Sequence, residues 1–126
     1  MGTATGTAKP LGLDPNVAAA VAYVFGIVSG LLVLVLDDSG DEFVEFHAKQ
    51  SIVFSAVLFA VYVLLGIVSA VLSFVPEIGG ILAALFGLLY PVVGLAGFLV
   101  WLFLMYKAYD GAEFALPVIG NVVRSV

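Results

Sequence analysis

The chain has 126 residues, 63% of them hydrophobic, with four Lys and Arg set against nine Asp and Glu for a net charge of −5. A mean hydropathy of +1.25 excludes a water-soluble domain of this size, whose surface needs far more polar residues. The lack of basic clusters excludes nucleic acid as a partner, and the absence of cysteine excludes disulfides, thiolate catalysis and cysteine-ligated zinc or iron–sulfur clusters.

Residues 1–16 read as a flexible segment ahead of a single membrane domain, 17–126. Met1-Gly2 is followed by Gly6 where a myristoylation signal wants Ser or Thr, so lipidation is not expected. The hydrocarbon core is about 30 Å thick and takes roughly 20 helical residues to cross. Residues 17–36 carry no charge and hold twelve Val, Ile, Leu and Phe, and read as a first span, too long for the core of a signal peptide. Ala18, Ala22, Gly26 and Gly30 recur within it every fourth residue. Such a small-residue ridge packs neighbouring helices closely, or serves a second copy of the chain.

Asp37-Asp38-Ser39-Gly40-Asp41 is an acidic turn without the ligand spacing of an EF-hand. Ser39 and Glu42 have the form of a capping box that starts a helix. Residues 42–50 interleave Phe43, Val44, Phe46 and His47 with Glu42, Glu45, Lys49 and Gln50, as expected of a helix entering the membrane interface. It leads into a second span, 51–75, closed by Pro76-Glu77 and Gly79-Gly80. Residues 81–106 form a third span with Pro91 as an expected kink, whose freed carbonyl needs a partner from a neighbouring helix. Residues 107–126 are too apolar for a free tail and too short to span, and are expected to fold back onto the interface through Lys107, Tyr109, Gly111, Pro117 and Gly120.

Three spans make the fold class an all-α integral membrane protein with its two ends on opposite faces. Lys49, Lys107 and Arg124 then share one face and Lys9 the other, which sets the N-terminus outside and the C-terminus in the cytoplasm of a cell membrane. The acid-rich wet segments suit a salt-rich cytoplasm. His47 and Ser51, one helical turn apart, have the spacing of a base and a hydroxyl, but no orienting acid accompanies them, and an interface anchor is the favoured reading. No metal or cofactor site is indicated, since there is one histidine and no Glu-x-x-His pair.

The stretches Glu42-Phe43-Val44-Glu45-Phe46-His47-Ala48-Lys49-Gln50-Ser51 and Lys107-Ala108-Tyr109-Asp110-Gly111-Ala112-Glu113, with Leu116-Pro117-Val118-Ile119-Gly120, resemble the two signature stretches of the Tic-twenty-like family of small, uncharacterised prokaryotic membrane proteins. The opening Leu13-Asp14-Pro15-Asn16-Val17-Ala18-Ala19 resembles that family's start, so the likeness covers nearly all of the chain beyond residue 12. The family takes its name from a component of the chloroplast inner-envelope import translocon, which has four spans. The resemblance implies a noncatalytic accessory of protein translocation or insertion, partnered by the bilayer and by itself or a larger membrane complex. The alternative is a small oligomeric channel or transporter, whose path would use Ser51, Ser55, Ser69, Ser73, Tyr62 and Tyr90.

Overall fold

The computed structural model describes residues 9–126. The lipidation signal considered at Met1-Gly2 and the first half of the flexible segment expected at 1–16 lie outside the described residues, while Pro10–Gly12 form a single 3-10 turn. Six α-helices follow: α1 Pro15–Val24, α2 Ile27–Leu36, α3 Glu42–Ser73, α4 Gly79–Phe86, α5 Leu89–Tyr109 and α6 Ile119–Ser125. No strand occurs among the described residues. Two compact units emerge, one from residues up to Ala56 together with Trp101–Val126, the other from Val57–Val100.

Two stretches are long and apolar enough to cross a membrane, Glu42–Ser73 and Gly79–Tyr109. The first apolar run is not a third. It breaks at Phe25-Gly26 into two helices of 10 residues each, about 15 Å apiece and thus half the hydrocarbon thickness. Gly26 takes φ +60° and ψ −122°, a conformation open to glycine and closed to residues with a Cβ. The contacts fix the path on either side of the break. On α1, the Asn16 amide donates to the Tyr109 carbonyl at 2.8 Å, and further along Trp101 Nε1 donates to the Tyr23 carbonyl at 2.5 Å. Helix α1 therefore runs inward from the end of α5. On α2, a Cβ added to Gly30 would meet the Ala48 carbonyl and Ser51, and Val33 then shares a cavity with Asp41 and Val44 at the start of α3. Helix α2 runs back out. The pair is a hairpin that enters and returns at one end of its unit, so residues 9–16, the 37–41 turn and residues 110–126 lie at that end. This geometry is not that of the straight first span on which the expected opposite placement of the two ends rested.

The break frees backbone groups from the helical ladder, and side chains of the same unit take four of them. Ser29 Oγ accepts from Phe25 N at 2.9 Å and donates to the Ala22 carbonyl at 2.8 Å. Ser51 Oγ donates to that same carbonyl at 2.7 Å, with the Gly26 carbonyl at 3.1 Å as a second acceptor. Trp101 takes the Tyr23 carbonyl, as above. Irregular backbone inside a bilayer is tolerated only where protein satisfies it, and here three side chains do so. The residues of the small ridge are spent on this packing. Ala18 and Ala22 are fully buried, and Gly26 and Gly30 lie against Ser55 and Ala48. Phe25, at the tip, is 75% exposed and faces lipid.

Helix α3 begins at Glu42, as the sequence led us to expect, but its cap is Asp41. Asp41 Oδ1 accepts from Phe43 N at 2.9 Å and Val44 N at 3.1 Å, while Ser39 Oγ receives Asp41 N at 3.2 Å. Within the second unit the chain leaves α3 at Ser73 and turns through Pro76, with Glu77 at φ +69°. The third apolar run is interrupted at Gly87-Leu88, just ahead of Pro91. Proline there has no N–H for the Gly87 carbonyl, which Tyr90 N takes instead at 3.1 Å. Tyr62 Oη donates to the Tyr90 carbonyl at 3.1 Å, and the two tyrosine rings stack 5.8 Å apart. A Cβ on Gly94 would come within 2.8 Å of Tyr62 Oη, and one on Gly97 within 3.1 Å of Leu58. These two glycines let α5 approach α3.

Substituting Gly26→Ala places a Cβ 2.6 Å from Ser55 Oγ at a positive φ. The expected outcome is a loss of about 1–3 kcal/mol of stability, read as a lowered thermal midpoint in detergent micelles, whereas Gly12→Ala, which meets nothing within 4 Å, lowers it less.

Candidate functional site: a buried polar clasp

Helix α3 presents His47, Gln50 and Ser51 on one inward face, since residues three and four apart share a helix side. All three are buried, together with Tyr23 from α1. Gln50 is the hub. Its Nε2 donates to Tyr23 Oη at 3.0 Å and to the Phe114 carbonyl at 2.9 Å, and its Oε1 accepts from Leu116 N at 2.8 Å. His47 Nε2 meets the Ala112 carbonyl at 3.0 Å, and its Nδ1 lies 2.6 Å from Tyr23 Oη. Because a carbonyl only accepts, the proton of a neutral His47 sits on Nε2, and the Tyr23 hydroxyl donates to Nδ1. Phe43 and Phe46 wall the imidazole edge-on at 4.7 and 5.3 Å. Every polar atom in the group has a partner, as burial in a low-dielectric interior requires.

The clasp binds three separate parts of the chain: α1 through Tyr23, α3 through His47 and Gln50, and the extended strap 112–116 through its backbone. Gly111, at φ +84°, turns the chain after α5. Gly120 is buried, and a Cβ there would lie 2.5 Å from that of Ala115, so α6 closes onto the strap only with glycine at this place. Outside the clasp, Arg124 pairs with Glu113 at 2.8 Å and lies 4.8 Å over the Phe46 ring, and Lys49 Nζ donates to the Val126 carbonyl at 3.0 Å. These exposed contacts are worth little individually.

Of the segment expected to fold back, residues 107–109 still belong to α5 and the chain returns only after Gly111, while Phe43, Phe46, His47 and Gln50 gather in one place. Other expectations are corrected. Glu42 is exposed and takes no part in the clasp. Lys107 lies 5.4 Å from the Phe103 ring centre, and Tyr109 contributes its carbonyl, to Asn16. Pro117 is exposed in the turn that follows the strap. The His47 and Ser51 pairing does not form, since Ser51 Oγ serves the α1–α2 break and both imidazole nitrogens are taken. Sequence reasoning missed Tyr23, Ser29, Trp101 and the cap at Asp41. The first three sit in apolar runs, where a lone hydroxyl or indole N–H was the available signal, since such a group in lipid needs a partner.

Protonation of His47 would put a second donor against the Tyr23 hydroxyl, which already receives Gln50 and would have to give up its own donated bond, so the geometry holds the imidazole neutral. Gln50→Leu leaves Leu116 N and the Phe114 carbonyl unpaired, at about 1–3 kcal/mol each, and should raise the rate of proteolysis within residues 110–118.

The fold and the clasp define a class: a small, all-helical multi-pass membrane protein in which a re-entrant hairpin and a returning strap are latched to one spanning helix. The chain belongs to the magnetosome magnetite crystal formation protein family (MamF/MmsF), whose profile matches residues 12–123. It is 40% identical over 114 residues to a UPF0132 membrane protein of Methanocaldococcus jannaschii, covering 90% of this chain and 89% of the relative. It is also 41% identical over 112 residues to a UPF0132 membrane protein of Archaeoglobus fulgidus, covering 89% and 94%. A second Methanocaldococcus jannaschii protein of that group is 31% identical over 114 residues, covering 90% and 71%. No solved structure matches the chain. The matches support a family of small prokaryotic membrane proteins and carry no Tic-twenty-like likeness.

Proposed function

We propose that the protein is a noncatalytic membrane component that holds a rigid, ordered platform at one membrane face for assembly with a partner membrane protein. One observation supports this reading most: the polar side chains of the clasp are consumed in joining α1, α3 and the strap, which leaves its histidine and hydroxyls occupied in positioning backbone. Around the clasp, Glu42, Tyr109, Pro117 and Val118 remain exposed on the same face and form the surface offered to a partner. The family description, magnetosome magnetite crystal formation, names a process and no reaction, which fits an accessory role. Translocation or insertion of polypeptides is a finer version of the same reading, to which the family matches add no support.

With the hairpin re-entrant, Lys9, Lys49, Lys107 and Arg124 all fall on the platform face, since Lys9 pairs with Asp14 beside Asn16. The positive-inside bias becomes four to none, and the platform faces the cytoplasm. A hydroxyl-lined pore draws less support. Ser51 and Tyr62 donate to backbone within their own units, and Ser73 to Ala70 of its own helix.

A photoreactive side chain placed at Glu42 or Tyr109 in the native membrane should give a discrete protein adduct, identifiable by mass spectrometry. Adducts to lipid alone from both positions would contradict the assembly role.

A further inference from the structure

We propose that the acidic pocket between the end of α2 and the start of α3 binds a hydrated divalent metal cation of the Mg2+ or Ca2+ type. The cavity, about 100 Å³, is lined by Val33, Leu34, Asp37, Gly40, Asp41, Val44 and Glu45. Three of these carry carboxylates and none is basic. Asp41 is only 1% exposed, and its two oxygens differ sharply. Oδ1 caps α3 through Phe43 N and Val44 N, whereas Oδ2 is buried without a hydrogen-bond partner, the one such side-chain atom among the described residues. Three acidic groups are paired with bases, Asp14 with Lys9, Glu113 with Arg124, and Glu45 of the pocket with Lys49 at 3.4 Å, whereas no base pairs with Asp37 or Asp41 among the described residues.

A buried carboxylate oxygen without a donor is costly, because nothing replaces the water it has lost. A cation in the cavity removes that cost. Asp37 stands across the pocket, with Oδ1 accepting from Ser39 N at 2.9 Å. Leu34 lies in the last turn of α2, where helix carbonyls run out of backbone donors and the helix dipole is negative. All these donors are oxygens, which select hard cations over the softer transition metals. No three acidic or histidine side chains converge on one point among the described residues, so the ion keeps several of its waters. That is how Mg2+ is usually held, through one or two carboxylates, and the cavity has room for it. Bound there, the ion would tie the outer end of the re-entrant hairpin to the first turn of α3, opposite the side latched by the clasp.

The test is direct binding to the full chain in detergent or nanodiscs, with Mn2+ followed by electron paramagnetic resonance as the probe and Mg2+ or Ca2+ as competitors. The expected result is one Mn2+ site displaced by Mg2+, together with a raised thermal midpoint at saturating Mg2+ that equal ionic strength of NaCl does not give. Asp41→Asn keeps the cap acceptor while removing the charge, and should weaken Mn2+ at least tenfold. Asp14→Asn, on an exposed carboxylate of the same face, should leave binding unchanged. Absence of a saturable site in the native protein at millimolar Mn2+ would overturn the proposal. So would a site of native affinity in Asp41→Asn or, should that variant not fold, in Asp37→Asn.

Discussion

The structure depends on satisfying the backbone where the first apolar run breaks. Lipid supplies no hydrogen bonds, so a helix that stops at mid-depth leaves amides and carbonyls that cost several kcal/mol each if unmet. Ser29, Ser51 and Trp101 meet them from three different helices. The break in turn decides which elements share a face, and hence where a binding surface can be.

The clasp is the second consequence of the same rule. Once the hairpin returns α1 to the start of α3, Tyr23 lies beside His47 and Gln50, and their hydrogen-bonding capacity must be met within the protein. The strap 112–116 meets it with backbone groups that an extended segment leaves unpaired. Each partner therefore solves the other's deficit, which is why an apolar run too short to span is held in place at the interface. The fully satisfied inventory, with both imidazole nitrogens taken, favours a structural task for a histidine that spacing alone would offer as a base.

Much of this was legible from residue patterns. The helical class, the helix start near Glu42, the turn at Pro76 and a chain that returns after the last long helix follow from charge-free length, helix breakers and apolar tail composition. The third apolar run divides near Pro91 for the reason that proline gives. The hairpin was hidden, because Val17 to Leu36 has the length and composition of a span, and a glycine in an apolar run signals close packing as readily as a turn. What distinguishes the two is the set of partners for the broken backbone. Ser51 and Trp101 lie 25 and 75 residues beyond Gly26 in sequence, and no local pattern connects them. The same distance hid the role of Tyr23. It also hid the pocket at Asp41, since an acidic turn looks solvated until burial isolates one oxygen.

The account stands or falls on the re-entrant hairpin. Single cysteines introduced at Asp14 and Ser39 and challenged with a membrane-impermeant thiol reagent, in sealed vesicles of one known orientation, test it most directly. The account predicts that both are labelled from one and the same side. Labelling of the two from opposite sides would establish a straight first span and contradict it.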